Sequence, residues 1–132
     1  MLKGHCLCGA VRYEAHGEVT NGTLCHCTMC RRAAGSPMVG WFTVPRVGYR
    51  VVAGTPVTYR SSANAWRTFC GTCGTPLTFE STRFPDETDV TTCSLDDPEV
   101  APPQDHTRAS TKLSWVKLAD GLPVWAEQRG KG

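Results

Sequence analysis

Apolar residues along this chain come in short runs, many of period two, separated by glycine, proline and asparagine. That rhythm fits strands and turns rather than long helices. Val11 and Tyr13 alternate with Arg12 and Glu14 and predict a half-buried strand, entered through a turn that Gly9 permits. Residues 17–22 are polar and read as a loop. Residues 23–27 read as a strand end, and 28–34 as a short helix capped by Thr28 and stopped by Gly35, Ser36 and Pro37. Residues 38–44 form a continuous apolar run between Pro37 and Pro45, which suits a buried strand. Further strands are expected over 49–53, 57–60, 66–69, 77–80 and 88–95. From Asp96 the pattern becomes a proline-punctuated loop. The tail from His106 is expected to pack Trp115 and Trp125 on the body and to fray after Glu127. With no strand-helix-strand alternation, the expected fold is mainly β and antiparallel, with short helical turns.

Composition narrows this picture. At 132 residues the chain has single-domain size, so one domain over 1–132 is expected. Hydrophobic residues at 40% against 20% charged exclude a disordered chain, and no apolar run of about 18 residues suggests a membrane span. No apolar stretch precedes Cys6, so no secretory leader is expected and the cytoplasm is the expected compartment. There, eight cysteines argue for metal rather than disulfides.

The cysteine spacing is the most informative feature. In Cys25-His26-Cys27-Thr28-Met29-Cys30, an extended backbone would project Cys25 and Cys27 to one side and His26 to the other. One turn later Cys30 can curl back to the same point. Three thiols can hold a zinc ion that keeps a fourth, exogenous position; spacing alone leaves open whether another residue fills it. Cys6 and Cys8 make a C-x-C pair, and Cys70 and Cys73 a C-x-x-C pair followed by glycine, a zinc-knuckle spacing. Each pair is half of a tetrahedral site, and joined they give one structural zinc. Two zinc ions per chain are therefore expected. Seven thiolates and two Zn²⁺ would turn the formal +2 into −1, and the basic residues are scattered apart from Arg31 and Arg32, so no nucleic-acid partner is expected.

The remaining candidates carry less weight. Cys93 reads as a small buried core residue, or alternatively as a fourth ligand closing the second site. His26 is given a supporting or surface role, His5 an incidental one, and His106 a place in a functional type of loop. Arg31 and Arg32 follow Cys30 and could offer a fork for a substrate carboxylate, or form a solvated helix face. Asp96 and Asp97 read as turn residues.

Three blocks, G-x-C-x-C-G-A-V-R-Y at Gly4 to Tyr13, C-H-C-x-x-C-R-R-x-x-G-S at Cys25 to Ser36, and R-x-F-C-x-x-C-G-x-P-L at Arg67 to Leu77, stand in order over the first eighty residues. Together they resemble the glutathione-dependent formaldehyde-activating enzyme family, which includes centromere protein V. The resemblance implies a zinc-stapled antiparallel β-tent fold. It also implies a structural zinc on Cys6, Cys8, Cys70 and Cys73 and a catalytic zinc on Cys25, Cys27 and Cys30. The implied activity is that of a carbon-sulfur lyase on a glutathione-aldehyde adduct such as S-hydroxymethylglutathione, or addition of the thiol to formaldehyde in reverse. An open zinc position would favour the thiolate of a bound thiol while the aldehyde oxygen is polarised. The rival expectation is a non-catalytic interaction module with structural zinc only, which a second site closed by Cys93 would favour.

Overall fold

A computed structural model describes residues 1–131. Strands β1 (Leu2–His5), β2 (Arg12–Ala15) and β5 (Tyr49–Ala53) form a three-stranded sheet in the order β1-β2-β5, antiparallel throughout. The other strands are β3 (Thr20–Cys25), β4 (Val39–Pro45), β6 (Val57–Ser62), β7 (Ala65–Phe69), β8 (Pro76–Ser81), β9 (Glu87–Thr91) and β10 (Asp105–Thr107). They form a seven-stranded sheet in the order β10-β3-β4-β9-β8-β7-β6.

The continuous apolar run of β4 is explained by burial on both faces. Phe42 and Val44 point into a core with Tyr13, Val11, Leu77 and Val90, between the two sheets. Val39 and Trp41 point the other way and pack with Cys30 of the helix, with Phe79 alongside. Full burial of a residue such as Phe42 stabilises by about 1.5 to 3 kcal/mol. Tyr13 fills the core so tightly that a Cβ on Gly4 would lie 2.2 Å from its hydroxyl oxygen, which is why β1 carries glycine there.

The helix α1 (Thr28–Ala34) lies where the sequence places it. Its cap is Cys27 rather than Thr28: Cys27 holds the extended conformation before the first turn, and its sulfur accepts the Cys30 N–H at 3.2 Å. Gly35 ends the helix at φ 61, its N–H bonded to the Arg31 carbonyl.

Elsewhere the structure departs from the sequence pattern at five places. The loop over 17–22 gives way to β3 at Thr20, disguised in sequence by a register shift and by Asn21 at φ 55. The strand expected over 88–95 stops at Thr91 and turns into a 3-10 turn, Thr92–Ser94. The stretch read as loop contains β10, which pairs in parallel with β3, so the larger sheet is mixed. Its buried polar residues are satisfied by hydrogen bonds with His26, Asp120, Trp125 and Arg129 and leave no apolar alternation to read. Of the tail tryptophans, Trp115 is 67% exposed, whereas Trp125 donates its indole N–H to Asp105 Oδ2 at 3.1 Å. The chain also stays anchored beyond Glu127. Arg129 Nε donates to Asp105 Oδ2 at 2.5 Å and Arg129 reaches Asn21 Oδ1 at 2.7 Å.

One half-buried acid, Asp89, shapes the pH response. Burial pushes the Asp89 carboxyl up to about 6, although the Thr43 hydroxyl donates to it at 2.6 Å. The folded state therefore prefers the protonated acid. The stability from this group is present at low pH and is lost as pH rises from about 4 towards 6. Asp89→Asn keeps an acceptor for Thr43 without the charge. In urea melts it is expected to exceed the wild type by about 1 to 3 kcal/mol at pH 7.5, and to match it at pH 4.

Candidate metal centre

Two turns bring the first cysteine set together. Cys6 and Cys8 lie between β1 and β2, and Cys70 and Cys73 between β7 and β8. In the first turn Gly9 takes φ 78 and donates to the Cys6 carbonyl; in the second Gly74 takes φ 81 and donates to the Cys70 carbonyl. The N–H groups of Val11 and Thr72 then point at the sulfurs of Cys6 and Cys70, at 3.3 and 3.4 Å. The Thr75 hydroxyl accepts the Leu7 N–H at 3.0 Å, joining the two turns directly.

All four sulfurs lie within 4.8 Å of one another, Cys6 to Cys8 at 3.6 Å and Cys8 to Cys70 at 3.8 Å. Four sulfurs at about 2.3 Å from a tetrahedral zinc would stand roughly 3.8 Å apart, which the Cys6–Cys8 and Cys8–Cys70 separations match. Cys73 is pushed down to about 5 by hydrogen bonds from the hydroxyl and backbone N–H of Thr75. That environment favours the thiolate a metal requires.

The second set stands at the junction of β3 and α1. Cys25 ends β3, Cys27 caps the helix and Cys30 lies in its first turn, buried, with all three sulfurs within 4.8 Å. Hydrogen bonds with Cys25 and Cys30 push Cys27 down to about 2, while contact with Cys27 and then Cys30 pushes Cys25 up. Three thiolates this close repel one another, so all three ionise together only around a cation. Among the described residues no fourth Cys, His, Asp or Glu joins the set. Cys93 is exposed in the 3-10 turn after β9, so it is neither a core residue nor a ligand of either cluster.

His26 was expected to have a supporting or surface role; it is fully buried and makes no ligand set with its neighbours. Its Nε2 meets His106 Nδ1 at 2.9 Å, and His106 Nε2 meets Asp120 Oδ2 at 2.7 Å. The carboxylate dictates the tautomers: His106 donates from Nε2 to Asp120 and accepts at Nδ1 from the His26 Nε2–H. Burial, then the neighbouring His106, Lys112 and Arg31, lowers the His26 pKa and keeps its ring neutral. The backbone of the segment between Cys25 and Cys27 is held from the same side. His26 N–H donates to the Thr107 carbonyl at 3.0 Å and the Thr111 hydroxyl donates to the His26 carbonyl at 2.9 Å. Nothing in sequence separates His106 from other loop histidines, because its partners lie 80 residues upstream and 14 downstream. His5, by contrast, meets Asp96 at the surface, 2.6 Å apart.

Arg31 and Arg32 lie on α1 at the rim of a cleft of about 360 Å³, whose other walls include Ser36, Pro37, Leu113 and Trp115. Arg31 is committed to the backbone, donating to the Thr111 carbonyl at 3.0 Å, whereas Arg32 is exposed beside it.

A mainly β protein with one cluster of four cysteines and one of three, each able to hold a metal, is the class that this fold and site define. The chain belongs to the glutathione-dependent formaldehyde-activating enzyme family, whose model matches residues 1–111. It is 37% identical over 82 residues to a Schizosaccharomyces pombe protein described as an uncharacterized lyase, covering 61% of this chain and 58% of that one. The chain thus spans less than two thirds of that curated relative. The crystal structure of a Rhodobacter sphaeroides protein superposes with a TM-score of 0.59 at 26% identity, covering 94% of this chain and 99% of the other. Among the described residues no helix is long and apolar enough to cross a membrane.

His106→Leu would strand the buried Nε2–H of His26 without an acceptor. It is expected to destabilise the protein by about 2 to 4 kcal/mol in denaturant melts. Replacing the exposed acceptor, Asp120→Asn, is expected to cost less than about 2 kcal/mol.

Proposed function

We propose that this protein is a zinc-dependent carbon-sulfur lyase acting on an aldehyde adduct of glutathione or a related small thiol, with S-hydroxymethylglutathione as the model substrate. Cys6, Cys8, Cys70 and Cys73 hold a structural zinc, and Cys25, Cys27 and Cys30 a catalytic one. The observation that carries this reading is the asymmetry between the clusters: four converging thiols in one, and three in the other with no further protein ligand among the described residues. Closed sets of four are structural, and sets of three leave room for an exogenous ligand. Family membership and the lyase description of the relative support the same reaction class.

In the lyase direction the carbon-sulfur bond breaks, the hydroxyl oxygen becomes the carbonyl of formaldehyde, and its proton ends on the released thiol. Zinc bound by the triplet would supply Lewis acidity, favouring the thiolate of the leaving group and polarising the aldehyde oxygen. The chain's own residues prepare that place. The Cys30 N–H fixes the Cys27 sulfur, the His26 backbone bonds to Thr107 and Thr111 hold the loop between Cys25 and Cys27, and β4 carries the triplet on a packed layer. Arg32, with Arg31 behind it, offers a guanidinium to a substrate carboxylate in the cleft that Trp115 walls. The rival, an interaction module with a closed second site, called for Cys93 as the closing ligand; Cys93 lies outside the triplet.

Zinc per chain, measured before and after mild chelation with and without glutathione, tests the reading. Two ions are expected, one lost readily and retained when glutathione is present. Two equally inert ions, or one, would count against it. Cys27→Ser is expected to stay folded, keep one zinc and lose turnover of S-hydroxymethylglutathione by about a hundredfold or more. Cys70→Ser is expected to unfold or aggregate, because metal closure in small modules contributes on the order of 10 kcal/mol; soluble, cooperatively melting Cys70→Ser would contradict a structural role for that ion.

A further inference from the structure

Arg67 belongs to the third sequence block yet has no part in either set of sulfurs. It lies on β7, the strand that leads into the four-cysteine turn, opposite Phe79 of β8, but its side chain faces the other cluster. The guanidinium carbon stands 5.0 Å from the ring centre of Phe79 and 5.9 Å from that of Trp41, and one terminal nitrogen approaches the Cys30 sulfur at 3.6 Å. Trp41 and Phe79 are themselves packed edge to face, with centroids 6.4 Å apart. Among the described residues no carboxylate lies within ion-pair distance of Arg67. A permanently charged group is thus held by two aromatic faces against the Cys30 sulfur, which becomes an anion when the triplet binds a metal.

Three thiolates around a zinc ion total one net negative charge, and a fourth thiolate makes two. An anionic ligand arriving at an already anionic set is repelled unless a cation stands at its edge. Arg31 and Arg32 do not supply this contact, since Arg31 turns to the Thr111 carbonyl and both line the outer cleft. Arg67 does, in a partly buried setting where screening by water is reduced.

We propose that Arg67 is the fixed counter-charge of the three-cysteine centre, a positioning residue that acts through Cys30 to hold the metal and to admit an anionic thiol beside it. The thiol half of this inference rests on the function proposed above; the metal half does not. Arg67→Met keeps an apolar stem over Trp41 and Phe79 and removes the charge, whereas Arg67→Lys keeps the charge and removes the planar fork.

The three proteins, loaded with Co²⁺, are compared in two assays, with thermal melts as a check on folding. In the first, a chelator competes for the metal without added thiol, and loss from the three-cysteine site is followed by the sulfur-to-cobalt absorption. Arg67→Met is expected to release that ion about tenfold faster than wild type, and Arg67→Lys within about threefold of it. In the second, glutathione is titrated and the change in the cobalt bands is read. Arg67→Met is expected to need about tenfold more glutathione, with Arg67→Lys again near wild type. Metal release from Arg67→Met at the wild-type rate would overturn the proposal, as would equal weakening by Met and Lys, which would mean that fork geometry rather than charge matters. If wild-type bands ignore glutathione while the release rates separate as expected, the lyase reading fails and the counter-charge stands. Should Arg67→Met melt below the assay temperature, Arg67→Gln takes its place against the same Lys control.

Discussion

Two hairpin turns that are 62 residues apart in the chain meet at sulfur rather than at carbon, and the relation between the sheets depends on that meeting. The apolar core between the sheets is small, and at this end of the molecule thiols occupy the place where a larger protein would have more of it. Such a contact has an electrostatic condition attached. Sulfurs at van der Waals distance contribute little as thiols and repel one another as thiolates, so they become a strong junction only around a cation. Backbone N–H groups aimed at Cys6 and Cys70 orient the sulfurs in advance, which would lower the reorganisation on binding a metal.

The second cluster is placed by ordinary packing. Because β4 alternates between two buried faces, the residues that hold the small sheet, Phe42 and Val44, are interleaved with those that support the triplet, Val39 and Trp41. A shift of register on β4 would disturb both. β7 makes a similar link, leading at its end into the Cys70 turn and sending Arg67 across to Cys30. The two thiol clusters are thus joined through strands that each serve both, although they share no residue.

What could be read from sequence follows the range of the interactions. The cysteine pairs and the triplet are local, so the spacing of Cys25, Cys27 and Cys30 and of Cys70 and Cys73 survives as pattern. The helix at Thr28–Ala34 was equally legible, since Gly35 and Pro37 terminate it within a few residues. Its cap was misread because a thiol, a rare cap, took the role usual for threonine. β10 escaped notice because Asp105 and His106 are buried through Arg129, Trp125, His26 and Asp120 rather than through apolar contact. Period-two hydrophobicity cannot register a strand whose inner residues are charged or aromatic bases. Cys93 was misplaced for the converse reason: a strand-like sequence gave way to a 3-10 turn that rotates its thiol outward.

The tail beyond the family match has a consequence for how the molecule can be divided. The match stops at residue 111, whereas Asp120, Trp125 and Arg129 follow it and supply the partners of His106 and Asp105 inside it. The boundary drawn by family likeness is therefore not a boundary of cooperative structure. A chain cut there would keep every cysteine yet leave a buried carboxylate and a buried imidazole pair without their counterparts. Exchange of this tail between relatives is correspondingly constrained: a foreign segment is compatible only if it brings an acceptor to His106 and a cation to Asp105.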